Sequence, residues 1–170
     1  MKKNINNIEV VDKENRPIGT MPQAEVHRQS LRHRSVVILI YDSEGKLYLQ
    51  KRNAAKKLYA GRWSISASGH VFAGESCESA ALRQLEFELG IKSGHLQLIR
   101  KIQASSETGY EFITVYALEK TNTVPSPNPD AVESGYFYTD SELEWLIKEY
   151  RELLTPTLVF LHDENVLFVK

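Results

Sequence analysis

GHVFAGESCESAALRQLEFELGI, residues 69–91, places a loop, a helix and a sharp stop in that order, with carboxylates at both ends. Ser76 is the expected N-cap, Cys77–Leu89 the helix, and Gly90 the left-handed residue that ends it. At about 100° per residue, Cys77, Ala81, Gln84 and Glu88 share one face, while Ala80, Leu85 and Leu89 help form the buried side. Glu86 points nearly opposite to Glu88 and cannot serve beside it. Glu75, in the loop before the helix, is placed either to swing toward Glu88 or to pair with Arg83. Mg²⁺ takes only one or two protein carboxylates and completes its shell with water and phosphate oxygens. Glu88 with Glu75 nearby, and the Gln84 amide oxygen as a weak neutral ligand, would therefore hold such a cation against a diphosphate. A lone glutamate on an amphipathic helix is ordinarily just solvated. The fixed spacing of Gly69, Glu75, Arg83, Glu88, Gly90 and Ile91 favours a site.

Working outward, Ile8–Asp12 and Ile18–Met21 read as a hairpin around Lys13–Pro17, and Pro22–Leu31 as a short helix. Ser35–Tyr41 (SVVILIY) is a β-branched run of the kind buried on both faces. After the turn Asp42–Gly45, Lys46–Lys51 alternates as a paired strand. Asn53–Arg62 is a polar, basic loop, and Trp63–Ser68 a short strand entering the motif. Further strands are expected at Leu96–Gln103, Tyr110–Leu118 and Gly135–Tyr138, with a helix over Ser141–Leu154. Pro125, Pro127 and Pro129 stiffen a connection. Strands and helices mixed in this order favour an α/β sandwich around a mixed sheet.

At 170 residues and 42% hydrophobic, the chain has material for one well-filled core, expected to be a single domain over 1–170. A formal net charge of −1 supplies no general attraction for a nucleic-acid polymer or an anionic membrane. The one cysteine, Cys77, excludes an internal disulfide framework and fits a reducing, cytoplasmic setting. MKKNINNIEVVDKENRP has no apolar segment after its two lysines, so no secretory signal is expected. Against that neutral background, Lys51, Arg52, Lys56 and Lys57 form a local basic cluster just before Trp63. Such runs are usually solvated loops.

The 69–91 spacing resembles the Nudix box, G-x5-E-x7-R-E-U-x-E-E-x-G-U, with U a bulky aliphatic residue. Gly69, Glu75, Arg83, Leu85, Glu88, Gly90 and Ile91 match it, while Gln84 and Phe87 stand where the pattern has glutamates. The resemblance runs from about Glu9 to Tyr138 and is similar to the branch related to isopentenyl-diphosphate isomerase. That branch shares the EVVD hairpin, the LRHRSVVILIYDSEGKLYLQKR strand pair and the loop ending in GRWSISASGH. It implies a Nudix-type α/β/α sandwich with an N-terminal hairpin at about 8–21. It further implies hydrolysis of a small-molecule diphosphate linked to another group, with Mg²⁺ or Mn²⁺ as cofactor. In this reading Glu88 and Glu75 go to the metal, Arg83 organises the loop, and Arg52 and Lys56 reach the diphosphate. Trp63 and Tyr59 would line the pocket, with a place in the core an equal alternative for Trp63. With two box carboxylates replaced, one cation and slow turnover are expected. Dimers are common in this family, so a homodimer is a further expectation.

A second reading follows the isomerase itself. Its box also has a single glutamate before Leu-Gly, and its histidine metal site is matched by His27, His33 and His70, a set that suits Zn²⁺ or Mn²⁺. Glu111 matches its acidic residue, which is both ligand and acid/base. Its catalytic cysteine is matched by Ser68, its other metal-site glutamate by Gly109, and a phosphate-contacting lysine by Gln23. Ser68 is a poor proton donor and acceptor near neutral pH, so isomerisation ranks below hydrolysis. A third reading is a module that binds a diphosphate without turning it over.

Overall fold

The computed structural model describes residues 7–118 and 123–168. In chain order the elements are β1 (Asn7–Val11), β2 (Pro17–Pro22), α1 (Gln23–Arg28), β3 (His33–Leu39), β4 (Leu47–Arg52), β5 (Trp63–Ser64) and β6 (Ala67–His70). They continue with α2 (Cys77–Leu89), β7 (Gln97–Ile102), β8 (Glu111–Ala117), β9 (Val132–Tyr138), α3 (Asp140–Tyr150), a 3₁₀ turn (Arg151–Leu153) and α4 (Pro156–Asp163).

β1 and β2 form the N-terminal hairpin. The main sheet has the order β6-β3-β8-β7, with β3 and β8 parallel and the other pairs antiparallel, so it is mixed. A three-stranded sheet, β5-β4-β9, faces it. Alternation along β3 explains the layering. Val36, Ile38 and Ile40 pack with Ala80, Ala81, Leu85 and Leu89 of α2 on one side. Val37 and Leu39 pack on the other with Leu47 and Leu49 of β4, Leu143 and Ile147 of α3, and Leu158 and Leu161 of α4. The result is an α/β/α sandwich around a mixed sheet with an added hairpin, as the sequence pattern implies.

α2 occupies Cys77–Leu89, the expected span. The Ser76 hydroxyl accepts from the Ser79 amide, and Gly90, at φ 63°, ends the helix in the left-handed region. Gly69 serves close packing instead: a Cβ there would lie 2.6 Å from the Gln84 side chain. One expectation needs correction, and one element was not foreseen. Trp63–Ser68 is two short strands in different sheets, because Ser66 crosses between them, its Oγ accepting from Ile40 N at 3.0 Å and donating to Tyr48 O at 2.6 Å. The chain after Leu154 carries a further helix, α4, capped by Thr155 with Pro156 in its first turn. No helix among the described residues is long and apolar enough to cross a membrane.

Candidate active site

A cavity of about 700 Å³ opens between the two sheets at the start of β3 and β8. It is within the size range of small-molecule sites. Four elements bring one side chain each to a common point. His33 opens β3 and pairs in register with Glu111, which opens the parallel strand β8. His70 ends β6 opposite Ser35, two residues along β3 and on the same face as His33. His27 lies in the last turn of α1, which is anchored by the fully buried Val26. The ligand-type atoms of these four all lie within 4.8 Å of one another.

The proton inventory of this cluster is short. His33 Nδ1 lies 2.8 Å from Leu31 O, so in the neutral ring it carries the hydrogen and leaves an Nε2 lone pair. That lone pair faces Glu111 Oε1 at 3.3 Å, acceptor against acceptor. His27 Nε2 and His70 Nε2 are 2.9 Å apart, and His70 Nε2 is 3.4 Å from the same Glu111 oxygen. Convergent lone pairs need positive charge among them, from protons or from a metal ion. Ligand atoms about 2.1 Å from a tetrahedral cation sit about 3.4 Å from one another, close to the spacings found here. Three imidazoles and a carboxylate are a donor set for Zn²⁺ or Mn²⁺ more than for Mg²⁺. Burial pushes the His27 pKa down, and the neighbouring His70 and His33 add to it against the pull of Glu111. Burial works to raise Glu111, but hydrogen bonds and charge from His33 and His70 outweigh it and hold the carboxyl well below its usual range. The pull on Glu111 needs a second proton on His33 or His70, and a bound metal ion would take the place of those protons.

The basic side of the cavity is supplied by Arg52, at the end of β4, and by Lys56 and Lys57 in the loop that follows. Arg52 Nε donates to Leu58 O at 3.0 Å, which orients the guanidinium. Ser68, Gln23 and Tyr59 also line the cavity. Trp63, expected beside the substrate, is not among its lining residues. It packs edge-on against Tyr138, ring centres 5.6 Å apart, on the hydrophobic core.

The motif carboxylates lie in another environment. Arg83 holds Glu75 through Nε–Oε2 at 2.8 Å and Nη2–Oε1 at 3.0 Å, stacks over the Phe72 ring and donates to His70 O. The guanidinium and the Phe72 amide more than offset burial and lower the Glu75 pKa. Arg83 Nη1 also reaches Gln84 Oε1 at 3.1 Å, and Gln84 Nε2 donates to Glu88 Oε1 at 2.8 Å. Glu88 Oε2 accepts from Gln50 Nε2 at 2.6 Å, and the same nitrogen reaches Ser66 O at 3.0 Å. Glu88 is 5% exposed. Burial raises its pKa against the pull of Gln84, Gln50, Lys56 and the Ser68 amide. Of the two arrangements open to Glu75, the Arg83 pair is the one adopted. Gln84 presents its N–H, not its oxygen, to Glu88. The sequence reading missed Gln50, whose place in an alternating strand gives no hint of a partner on α2. It also missed Ser35, Ser64, Thr155 and Thr157 of the cavity wall.

The sequence model described as NUDIX domain matches residues 31–156, well over half of the chain. An uncharacterized Nudix hydrolase of Pseudomonas aeruginosa is 41% identical over 87 residues, covering 51% of this chain and 52% of that protein. The chain therefore spans about half the length of that relative. An isopentenyl-diphosphate Delta-isomerase of Nocardia farcinica is 30% identical over 159 residues, covering 89% of each. A crystal structure of a Deinococcus radiodurans protein superposes with TM-score 0.83 at 23% identity, over 93% of this chain and 98% of that one.

Proposed function

Since this chain belongs to the NUDIX family and resembles its isopentenyl-diphosphate isomerase branch, we propose that it is a metal-dependent hydrolase of a diphosphate joined to another group. The observation that carries this reading is the facing of His33 Nε2 and Glu111 Oε1 across 3.3 Å beside the His27–His70 contact, with a basic wall on the same cavity. His27, His33, His70 and Glu111 would hold the ion. Such a cation neutralises phosphate charge and lowers the pKa of bound water.

The protein's own groups do the rest. Arg52 and Lys56 take phosphate oxygens, Arg52 through its planar fork. This fixes the chain for in-line attack, where positioning and charge are most of the catalysis. Glu111 is the carboxylate at hand for the proton released by the attacking water. Arg83, by bonding Glu75 and the His70 carbonyl, positions the strand end that carries His70. Glu88 supports the same strand from beneath and is not assigned to the ion.

Isomerisation is the second reading, favoured by the histidine–glutamate cluster and by the isomerase relative. It requires protonation on one face of a double bond and deprotonation on the other. Ser68, standing where the isomerase has its cysteine, is weak for one half of that task. One panel separates the readings. The purified protein in Mn²⁺ is given nucleoside diphosphate derivatives and isopentenyl diphosphate, and phosphate release and double-bond migration are followed separately. Phosphate release abolished by Glu111→Gln supports hydrolysis. Migration without release supports the isomerase, and binding with neither supports a non-catalytic module.

A further inference from the structure

One wall residue of the cavity has chemistry that the phosphate contacts do not use. Ser35 is 5% exposed, and its Oγ is buried without a hydrogen-bond partner among the described residues. It lines the cavity. Strand geometry sets it about 7 Å along β3 from His33 on the same face, directly across from His70 in register. Leaving a buried hydroxyl unpaired is unfavourable, so a group entering the cavity gains by pairing with it. The surroundings continue the pattern. Ser64 and Thr155, whose hydroxyls are 3.0 Å apart, and Ser68 and Thr157 line the same cavity. A hydrocarbon chain pressed against this wall would leave Ser35 buried and unpaired. A hydroxyl or carbonyl would satisfy it, met by rotation of the Ser35 side chain about its Cα–Cβ bond.

We infer that Ser35 is a specificity-determining residue, whose Oγ hydrogen-bonds a hydroxyl or carbonyl on the organic half of the substrate. The inference rests on the diphosphate reading above. A site built to pair with a polar group discriminates strongly against a ligand that lacks it. Ser35 therefore sorts hydroxylated diphosphates from aliphatic ones, with the phosphate contacts common to both.

The test compares wild type with Ser35→Ala, each with Mn²⁺ bound, by calorimetric titration with inorganic pyrophosphate, isopentenyl diphosphate, ADP-ribose and UDP-glucose. Wild type is expected to bind the tighter of the two sugar compounds at least tenfold more strongly than isopentenyl diphosphate. In Ser35→Ala that advantage falls at least fivefold, with pyrophosphate and isopentenyl diphosphate affinities unchanged within twofold. The ligand-free variant melts no lower than wild type, because its missing hydroxyl had no partner to lose. Equal or tighter binding of isopentenyl diphosphate by wild type, unchanged sugar-compound affinity in the variant, or a lowered melting temperature would each overturn the inference. Absence of pyrophosphate binding in Mn²⁺ would instead remove the diphosphate reading, and this one with it.

Discussion

The box helix and the histidine cluster hold their carboxylates in opposite ways. At the box helix, Glu88 has one oxygen on Gln84 and the other on Gln50, and Glu75 is clasped by Arg83. In the cluster, Glu111 shares its oxygen with two imidazole nitrogens that are themselves short of protons. A carboxylate already supplied with N–H donors has little to gain from a cation. One ringed by lone pairs has much to gain. The comparison separates a recognisable motif from the chemistry it usually advertises. In the proposed reading the box organises the strand end bearing His70, and the histidine–glutamate cluster holds the metal.

The contrast breaks most visibly at His70. His70→Ala should lower Mn²⁺ affinity and phosphate release at least about 100-fold each, measured by metal titration and steady-state kinetics. Equal activity in the variant would return the cation to the box helix. Next in size, Arg52→Ala removes a charge-assisted contact worth about 1.5–3 kcal/mol. It should raise KM about 10–100-fold with a smaller change in kcat. Glu88→Gln then probes the box helix. One oxygen becomes an N–H donor set against Gln84 or Gln50, so stability should fall by about 1–3 kcal/mol, read as a denaturant midpoint shift. Mn²⁺ affinity should stay within about threefold, since no ligand of the cluster is touched.

The smallest change in sequence sharpens the contrast. Gln84→Glu keeps an acceptor for Arg83 but loses the donor to Glu88, setting two buried carboxylates side by side. Without metal the variant should melt lower and regain stability as pH falls, because protonating one carboxyl relieves the repulsion. With metal it should bind a second Mn²⁺. Thermal melts between pH 5 and 8 and an equilibrium titration check both, and one Mn²⁺ per chain in the variant would count against the comparison.

Much of the frame was legible because it is set by neighbours in sequence. Ser76 and Gly90 delimit α2 by local hydrogen bonding and one left-handed residue, and the β-branched SVVILIY reads as a strand with both faces covered. The histidines and Glu111 were legible through the family resemblance, and their convergence depends on register between strands 78 residues apart. What stayed hidden is pairing across layers. Gln50 meeting Glu88, the Ser66 crossover and the empty valence of Ser35 Oγ follow from how α2 and β4 sit on the sheet. Trp63 stayed open between two roles, because an aromatic beside a basic loop suits a pocket wall and a core edge equally. The packing of Tyr138 decided for the core.

The nitrogen environment of bound Mn²⁺ tests the central claim most directly, by pulsed electron paramagnetic resonance on the full chain carrying one equivalent of metal. Couplings from imidazole nitrogens that persist in Glu88→Gln and vanish or weaken in His70→Ala are the result expected. An all-oxygen signal, lost in Glu88→Gln and indifferent to His70→Ala, would contradict it.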